Sequence, residues 1–274
     1  MVKFYVHLTM QISPPEHLAP FIRHYIFLEN NEKDIKNVRL FTDGSSGLIL
    51  SANTNLYSHH SEEQIPTSFF YGTLNSYKDF YTKGNFSFIA VVFQPYFLNM
   101  LLKTSAKEVK NQIISVEDVL QDRFTPFQEK LFYKAAPLMI IDDLNVFFTQ
   151  FISKEIGTDY QLIAAIQQHI LKHKGSVSSK DLEDFTGYSE RHLERKFDDY
   201  LGISPKKYTN IIRLHYFLSL MNKGIIEENM TMLSYHAGYS DQSHLIREFK
   251  KNIGLSPKQY VKTENKMAVN FIEL

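Results

Sequence analysis

Short apolar runs alternate with turn-forming residues through the first hundred positions of the chain. The runs 21–29, 48–52, 68–71 and 86–93 are rich in Phe, Tyr, Ile and Val, residue types that favour β-strands. Segments such as 43–47, DGSSG, separate them, at intervals typical of antiparallel sheets and small barrels. The pattern predicts an N-terminal antiparallel β region.

The period of the apolar positions changes after residue 95. Between 126 and 156 apolar residues recur every three or four positions, which is the spacing of one helix face. We expect an interruption at Pro137 because proline breaks a helix interior. From Tyr160 onward nearly all of the chain has helical spacing, in pieces separated by Gly or Ser-Pro. The predicted fold class is therefore α+β, with antiparallel β plus helices followed by an all-α domain.

One stretch of the helical region occurs twice. The segments HLERKFDDYLGISPKKY (192–208) and HLIREFKKNIGLSPKQY (244–260) are 17 residues long, identical at nine positions and offset by 52 residues. The similarity extends upstream into TGYS (186–189) and AGYS (237–240), with one extra residue in the second copy. An internal repeat of this kind predicts two copies of one supersecondary unit.

Each copy has the order of elements of a helix-turn-helix unit. A short helix, expected at 182–185 and at 233–237, precedes a Gly-Tyr turn and a second helix opened by a Ser or Asp cap. Ser178 and Asp181 have the spacing of a capping box before the first of these helices. The buried stripe of the second helices is predicted at pairs four residues apart, Leu193/Phe197 and Leu245/Phe249.

The opposite face of the two second helices carries side chains that suit the edges of DNA bases. Arg can form two hydrogen bonds with guanine, Gln can pair with adenine, and Glu can accept from the amino group of cytosine. A solvated charged face is the ordinary interpretation of one such helix, and the repetition of the whole unit argues against it here. We therefore predict DNA-binding side chains at Arg191, Glu194 and Arg195 in the first copy and Gln242, Ser243 and Arg247 in the second.

The segment between the two copies, 204–222, is predicted to form one long helix. Its 19 residues would span about 28 Å at 1.5 Å per residue. That length is close to the ~34 Å between successive major grooves on one face of DNA. A pair of metal or active sites would have no reason for this separation.

Composition excludes several classes of protein. The 274 residues are 43% hydrophobic and 22% charged, as in ordinary globular domains, and the length favours two of them. Cysteine is absent, which excludes disulfides, thiolate zinc sites and thiol nucleophiles. The 30 basic and 30 acidic side chains balance over the whole chain, but residues 160–262 hold 15 basic and 11 acidic groups.

The N-terminus does not have the pattern of a secretion signal, which needs a basic region followed by an uninterrupted apolar run. The longest apolar stretch, 86–102, is broken by Gln94, Pro95 and Asn99, and falls short of the ~18 apolar residues of a membrane span. We interpret it as a strand, a turn and a helix. The chain is expected to be cytoplasmic, with no membrane partner.

The C-terminal residues resemble the tandem helix-turn-helix domain of AraC-type (AraC/XylS) transcriptional regulators. The resemblance covers about 160–262 and is most specific in GYSDQSHL (238–245), REFKK (247–251), GLSP (254–257) and Tyr260. In such proteins each second helix enters the major groove, so the resemblance implies this role for the six side chains predicted above. It also implies a double-stranded DNA operator and RNA polymerase as partners, no cofactor and no enzymatic activity.

The N-terminal residues resemble, more weakly, a sensor-like domain of some AraC-type regulators. The likeness lies in PEHLAPFI (15–22), in Asp43-Gly44 followed by 48–50, and in FQPYF (93–97). It implies a cupin-like sheet plus helices that bind a small-molecule effector or carry a dimer contact. The domains expected are 1–157 (regulatory), 158–262 (DNA-binding) and 263–274 (a C-terminal tail from which Val269, Phe271 and Ile272 could dock).

Two features depart from the family pattern. The small Ala usual in the first helix of each unit is Glu183 in the first copy and Ser234 in the second. Asp198 and Asp199 stand where basic residues are common, and where the second copy has Lys250-Lys251. Because phosphate attraction supplies much of DNA affinity, we expect the second unit to hold DNA more strongly than the first.

Two alternative functions are a cupin-type enzyme and a protein-binding adaptor that uses the same helices. The segment with His59, His60, Glu62 and Glu63 is the best apparent metal-ligand set, but adjacent strand residues point to opposite faces, so no metal site is predicted there. The chain also lacks the Gly-rich loops that bind nucleotide phosphates.

A homodimer is a further expectation. The stretch 138–156 is helical in pattern and contains Phe147, Phe148 and Phe151, which could form a contact between two copies. The same three side chains could equally pack on the N-terminal sheet, because apolar residues at helical spacing face a core in most domains. Both interpretations stay open from the sequence.

Overall fold

Two antiparallel β-sheets form the N-terminal part of the protein. The computed structural model describes residues 7–31, 34–53, 55–120, 125–133, 136–150, 152, 157–222, 230–263, 266–268 and 270–274. The strands are β1 (His7–Ile12), β2 (Ile22–Asn30), β3 (Ile35–Leu40), β4 (Gly47–Ser51), β5 (Leu56–Ser58), β6 (Ser68–Tyr71), β7 (Lys78–Lys83), β8 (Phe86–Phe93), β9 (Ile113–Ser115), β10 (Lys266–Ala268) and β11 (Phe271–Glu273). Sheet A has the order β1-β2-β8-β4-β6-β9 and sheet B the order β10-β11-β3-β7-β5.

Helices follow the sheets along the chain. They are α1 (Phe97–Leu102), α2 (Ala106–Val109), α3 (Val116–Leu120), α4 (Thr125–Phe132), α5 (Pro137–Thr149), α6 (Thr158–Lys172), α7 (Ser179–Thr186), α8 (Glu190–Leu201), α9 (Pro205–Asn222), α10 (Met230–His236), α11 (Gln242–Ile253) and α12 (Pro257–Lys262). The α+β class is confirmed. Pro137 opens α5, which is the position where a proline costs a helix no hydrogen bond.

The four strands predicted from apolar runs are β2, β4, β6 and β8, all of them in sheet A. Sheet A is covered on both faces, by sheet B on one side and by helices on the other, so its strands are near-continuous apolar runs. The strands of sheet B were not predicted. The sequences of β3, IKNVRL, and β7, KDFYTK, mix polar with apolar residues and contain no long apolar run, because only one face of these strands lines the space between the sheets.

The N-terminal helices pack on the outer face of sheet A. Phe148 of α5 is fully buried, with its ring 5.6 Å from that of Phe93 and 6.0 Å from that of Phe97. Phe147 packs edge-on against Phe127. Phe148 therefore packs on the N-terminal sheet, whereas Phe147 packs on α4. Phe151 lies outside the described residues.

The predicted pair of helix-turn-helix units is present in the C-terminal part of the chain. Helices α7 and α8 form the first unit, α10 and α11 form the second, and α9 joins them. The linking helix has 18 residues, one fewer than predicted, because Ser204 precedes it. Helices α7 and α10 are longer than expected and begin earlier, at Ser179 and Met230.

The segment predicted as a C-terminal tail is instead part of sheet B. Residues 266–268 and 271–273 form β10 and β11, and β11 pairs with β3 in sheet B, with Ile272 opposite Arg39. Ile272 is fully buried and Phe271 is partly buried, so two of the three residues expected to dock do so. Val269 lies outside the described residues. Pairing with a strand more than 200 positions away along the sequence leaves no local signal.

Buried clusters cross the expected domain boundaries at 157 and 262. One cluster joins the helical side of sheet A to α6 and the first unit, and a second joins the core of the second unit to Phe41 and Ile272. The partition into three segments remains a prediction, since both helix-turn-helix units share apolar cores with the N-terminal region.

The described residues hold no group of three His, Asp or Glu side chains placed to bind one metal ion. His59 lies in a turn, where its Nε2 is 2.8 Å from Oδ1 of Asn37. In the described part of the chain, no helix combines the length and apolar character needed to cross a membrane.

Candidate nucleic-acid interface

The second helix of each unit is held by one apolar stripe. Leu193 and Phe197 in α8, and Leu245 and Phe249 in α11, are at most 1% exposed. Each pair is four residues apart and so lies on one helix face. This burial fixes the rotation of α8 and α11, and with it the face that each turns to solvent. The predicted stripes are confirmed.

The six predicted DNA-binding side chains lie on the outward face or at its edge. Arg191, Glu194 and Arg195 in α8 are exposed, as are Ser243 and Arg247 in α11. Gln242 differs from them, because it is half-buried and its Oε1 lies 3.4 Å from the Thr231 hydroxyl of α10. Five of the six side chains are therefore exposed to solvent. Their role in reading DNA stays a prediction.

The second helices of the two units, α8 and α11, called recognition helices below, are capped at their N-termini in different ways. Asp241 caps α11 and accepts a 2.7 Å hydrogen bond from the His244 amide, a bond that lowers the pKa of the Asp241 carboxyl. Ser189 occupies the corresponding position before α8 but makes no capping hydrogen bond. The Glu183 carboxylate replaces it, accepting from the Glu190 amide at 2.7 Å. The departure from Ala at 183 thus has a structural purpose that the sequence analysis missed.

The first helix of the first unit starts at the predicted capping box. The Ser178 hydroxyl accepts from the Asp181 amide, and the Asp181 carboxylate accepts from the Ser178 amide at 2.8 Å. That second bond is the main reason why the pKa of Asp181 is lowered. In the second unit, Ser234 is fully buried and its hydroxyl donates to the Thr231 carbonyl, so the small residue there permits close packing.

A tyrosine of the turn packs on a histidine of the recognition helix in both units. The ring centroids of Tyr188 and His192 are 4.5 Å apart and stacked, and those of Tyr239 and His244 are 5.5 Å apart and edge-on. Both residues are identical between the copies. That identity was the available signal for this contact, which holds the turn against the helix that follows it.

The linking helix α9 bonds to both units. The Arg213 guanidinium donates to the Gly175 carbonyl, next to the first unit, at 2.7 and 3.1 Å. The Lys207 ammonium donates to Oδ1 of Asn252, a fully buried residue of α11, at 2.6 Å. These polar bonds supplement the apolar contacts of α9 and fix the orientation of each unit on it.

The linking helix also rests on the N-terminal region. The loop after β3 is buried beneath it, and Nε2 of His215 donates to the Thr42 carbonyl at 2.8 Å. Burial lowers the pKa of His215, which favours the neutral imidazole. Tyr208 packs so closely on Gly44 that a Cβ at residue 44 would lie 2.8 Å from its ring. The DGSSG segment, predicted as a strand breaker, thus also packs against α9.

The recognition helix of the first unit contacts the N-terminal helices at its C-terminal end. The Asn99 side-chain amide donates to the Asp199 carbonyl at 3.2 Å, and Lys107 forms a 3.6 Å ion pair with Asp198. The two aspartates that depart from the basic family pattern therefore meet the N-terminal region. Gly202, which ends α8, allows this approach, since a Cβ there would lie 2.8 Å from the Ala106 carbonyl oxygen.

The recognition helix of the second unit meets sheet B at the equivalent position of the repeat. Nη1 of Arg39 donates to the carbonyl of Ile253, the last residue of α11, at 3.2 Å. The same guanidinium forms two 2.6 Å bonds with Asp79 and lies 4.0 Å above the ring of Tyr77. Gly254 ends the helix with a positive φ of 78°. No local sequence pattern predicts these contacts, because they join residues far apart in the chain.

Two family models match the chain. Residues 182–263 match a model described as a helix-turn-helix domain, and residues 10–115 match DUF6597, a domain of unknown function. The first match contains α8 and α11. The second contains β2 to β9, and so most of both sheets.

Curated relatives match the C-terminal part of the chain. The uncharacterized HTH-type transcriptional regulator YbfI of Bacillus subtilis (strain 168) is 34% identical over 70 residues, which are 26% of this chain and 24% of YbfI. The HTH-type transcriptional activator RhaS of Enterobacter sp. (strain 638) is 27% identical over 99 residues, 36% of this chain and 34% of RhaS. The chain thus matches about a third of their length or less. Both are described as HTH-type transcriptional regulators.

Two solved structures are similar over most of the chain. ToxT from Vibrio cholerae O395, bound to (E)-4-(8-methylnaphthalen-1-yl)but-3-enoic acid, has a TM-score of 0.49 at 16% identity, covering 86% of this chain and 98% of that chain. The AraC-like transcriptional activator CuxR has a TM-score of 0.27 at 14% identity, covering 80% and 96%. With the repeat, the buried stripes and the family match in place, residues 182–263 form a helix-turn-helix domain similar to those of HTH-type transcriptional regulators such as RhaS.

Proposed function

We propose that the protein is a sequence-specific transcriptional regulator whose recognition helices α8 and α11 enter two successive major grooves of a double-stranded operator. One observation carries the proposal. Arg195 and Arg247 occupy the same position of the repeat and are both exposed, while the equivalent apolar pairs beneath them are buried. Two equivalent Arg positions, on two helices whose units are joined by one linking helix, fit a DNA target with two half-sites.

The distance between the units supports the same target. Helix α9 has 18 residues, about 27 Å at 1.5 Å per residue, and successive major grooves are about 34 Å apart. Arg191, Glu194 and Arg195 would contact one half-site, with Gln242, Ser243 and Arg247 on the other. Exposed lysines of the second unit, Lys250, Lys251 and Lys258, would contact phosphates.

A small apolar molecule is the effector that the N-terminal region would accept. A cavity of about 70 Å³ lies between the two sheets and is lined mainly by apolar side chains, among them Val38, Phe80 and Phe88. Two lining atoms, Oγ1 of Thr82 and Oδ1 of Asn53, are buried without a hydrogen-bond partner in the described residues. A ligand with an apolar body and one hydrogen-bonding group would satisfy them.

RNA polymerase is the partner through which operator binding would change transcription.

Homodimerisation through α5 is also part of the proposal. Met139 and Val146 are seven residues apart on one face of α5 and are 64% and 63% exposed, with Leu138 beside them at 57%. A second copy that covers this face would double the number of half-sites read. The mass in solution by light scattering, compared between wild type and Val146→Glu, tests the dimer, and a monomeric wild type would rule it out.

Selection of bound sequences from random DNA tests the two-reader mechanism. The full chain is required, because β11 follows the second unit and pairs with the N-terminal sheet. We expect two short motifs about one helical turn apart. Arg195→Ala should blur one motif and Arg247→Ala the other, each with a loss of about 1–3 kcal/mol in binding free energy.

Lys130→Ala is the matched control, because it removes one positive charge from α4 in the N-terminal region. It should leave both motifs and the affinity unchanged. Enrichment of no motif by the folded wild-type chain would contradict the proposal. Blurring of the same motif by both Arg variants would contradict the assignment of one half-site to each helix.

A further inference from the structure

Sheet B touches the cavity with one face and the second helix-turn-helix unit with the other. Val38 and Leu40 of β3 line the cavity. The residues between and after them, Arg39 and Phe41, point the other way, since alternate residues of a strand lie on opposite faces. Arg39 bonds to Ile253 at the end of α11, and Phe41 belongs to the apolar core of the second unit. The cavity and the second unit thus lie on opposite faces of the single strand β3.

Strand β11 repeats this arrangement with residues that follow the second unit in the chain. Phe271 lines the cavity, with its ring edge-on to that of Phe88 in sheet A at 5.9 Å. Ile272, its neighbour, is fully buried in the core of the second unit. Because β11 pairs with β3, with Phe271 opposite Leu40, the two strands form one continuous wall between the cavity and the unit.

The first unit is held by a different surface. Its recognition helix contacts Asn99 of α1 and Lys107 of α2, and its core continues into the helical side of sheet A. Of the described residues that line the cavity, none belongs to the first unit, to α1 or to α2. Movement of the sheet B wall would therefore reach the second unit without acting directly on the first.

The size of the cavity makes such movement necessary for most ligands. Its volume is about 70 Å³, whereas a protein cavity that holds benzene has about 150 Å³. Close-packed interiors do not yield locally, so a larger molecule must shift a wall. Sheet A is covered on both faces, but the outer face of sheet B is open at Ile35, which is 65% exposed. Sheet B is the wall that can move.

We propose that a ligand in the cavity displaces the β3–β11 wall of sheet B, and with it the second helix-turn-helix unit, while the first unit stays in place. The regulated quantity is the position of α11 relative to α8. A ligand acts in this way only if it binds the displaced arrangement more tightly. The effect on operator choice rests on the proposed function, but the coupling between cavity and second unit does not.

A pair of substitutions on one strand of sheet A tests the coupling in the full chain. Val92 lines the cavity, and Val91 faces the helical core on the other side. Val92→Phe fills the cavity in place of a ligand, and Val91→Phe adds the same volume on the opposite face. Hydrogen exchange is followed at the amides of Gly254 and Gly202, which bond to Lys250 and Asp198 at equivalent positions of the repeat.

With Val92→Phe we expect exchange to rise at least tenfold at Gly254, and also at Leu274, whose amide bonds to Asn37 beyond the end of β11. Exchange at Gly202 should be unchanged. Val91→Phe should not raise hydrogen exchange at Gly254 more than at Gly202. Equal changes at both glycines with Val92→Phe, or no change at either, would overturn the proposal.

A second pair decides the matter if Val92→Phe does not fold. Phe271→Ala removes a phenyl ring from the sheet B wall of the cavity. Phe86→Ala removes a phenyl ring from the sheet A wall of the same cavity. We expect faster exchange at Gly254 only with Phe271→Ala. Equal effects of the two variants would contradict the assignment of sheet B as the moving wall.

DNA selection with Val92→Phe separates this inference from the proposed function. If the protein reads two half-sites, the variant should change the preferred distance between them or weaken the motif lost in Arg247→Ala. If wild type enriches no sequence, the proposed function fails, and the exchange pattern still decides whether the cavity is coupled to the second unit. Selective exchange at Gly254 with unaltered half-site spacing and motifs would overturn the regulatory consequence.

Discussion

At the scale of single residues, Arg39 joins the N-terminal sheet to the DNA-binding domain. Arg39 is 8% exposed, and its guanidinium is satisfied by Asp79, by the ring of Tyr77 and by the Ile253 carbonyl. The planar fork of an Arg matches the carboxylate with two bonds while its remaining donor reaches the helix end. A buried charge of this kind depends on all of its partners.

Arg39→Ala should lower the free energy of unfolding by about 2–4 kcal/mol, because it leaves Asp79 and the end of α11 without their donor. Arg39→Lys should lose less, since it keeps the charge but not the two parallel bonds. Urea unfolding measures both. The control is Lys130→Ala, whose ion pair with Asp143 is exposed and is worth at most about 0.5–1 kcal/mol. Similar losses for Arg39→Ala and the control would contradict this account.

Stability should fall as the pH is lowered from neutrality. Burial, then the charge of Arg23, lowers the pKa of His24 from 6.5 to about 4, against the opposing effect of Asp43. Burial also lowers the pKa of His215. A lowered histidine pKa means that the unfolded chain binds more protons than the folded one. The stability from His24 is therefore complete above about pH 6.5 and is lost progressively as the pH falls towards 4.

The measurement is urea unfolding at several pH values between 7.5 and 5.5. His24→Asn should reduce the slope by about 1 kcal/mol per pH unit, and His60→Asn, in an exposed turn, should leave it unchanged. A slope that His24→Asn does not alter would show that the imidazole is not held neutral in the fold.

At the scale of elements, the two recognition helices have the same stripe and different ends. The first is capped by Glu183 from the preceding helix, and the second by its own Asp241. A cap bond satisfies an amide that would otherwise be unpaired at the helix start. The position of the capping group therefore differs between the units although the helices share their sequence pattern.

Glu183→Ala should destabilise the protein by about 0.5–1 kcal/mol through loss of the α8 cap. Ser189→Ala should have a smaller effect, because the Ser189 hydroxyl makes no capping bond. Thermal unfolding of both variants measures the difference. A larger loss from Ser189→Ala would reverse the assignment of the cap.

The C-terminal ends of the helices differ in how close another element lies. Gly187 and Gly202 both have a positive φ, at 74° and 71°, but a Cβ at 187 would meet no atom within 4 Å. Gly187→Ala should therefore cost only the backbone strain, about 1–2 kcal/mol. Gly202→Ala should cost about 1–3 kcal/mol more because of the Ala106 carbonyl. Equal losses in urea unfolding would mean that α8 is not held against α2.

At the scale of the whole molecule, a neutral chain presents a charge asymmetry. The two units and their linking helix carry the excess of basic groups, and the N-terminal region compensates for it. The basic excess within the two units and their linking helix is small, and in the first unit the Asp198 carboxylate pairs with Lys107 of the N-terminal region. The second unit, with Lys250 and Lys251 exposed, is expected to supply most of the phosphate contacts.

Affinity for operator DNA should fall at least about 100-fold between about 50 and 200 mM salt, because bound lysines release counterions. The double variant Lys250→Gln, Lys251→Gln should flatten the log–log slope by about 2, and Lys130→Ala should leave it unchanged. Fluorescence anisotropy with labelled DNA measures all three. Binding that does not depend on salt would favour the adaptor with an apolar contact surface.

The sequence by itself determined the two helix-turn-helix units, their buried stripes and the helix between them. The signals for these features, such as Leu193 with Phe197 or Ser178 with Asp181, are caps, turns and apolar pairs only a few residues apart. Local spacing decides helix formation and helix rotation, and the repeat doubled each signal. Four of the six strands of sheet A, β2, β4, β6 and β8, could be predicted for a related reason, since burial on both faces makes them continuous apolar runs.

Only the tertiary structure decided sheet B, the placement of β11 and the contacts that hold the two units. Arg39 and Ile253 are 214 positions apart, and no periodicity relates them. The strands of sheet B are short and mix polar with apolar residues, so their partners depend on which chain segment lies beside them. Glu183 shows the same limit at shorter range, because its capping role depends on the angle between α7 and α8. Pairings across the fold are set by the packing of the whole chain rather than by local pattern.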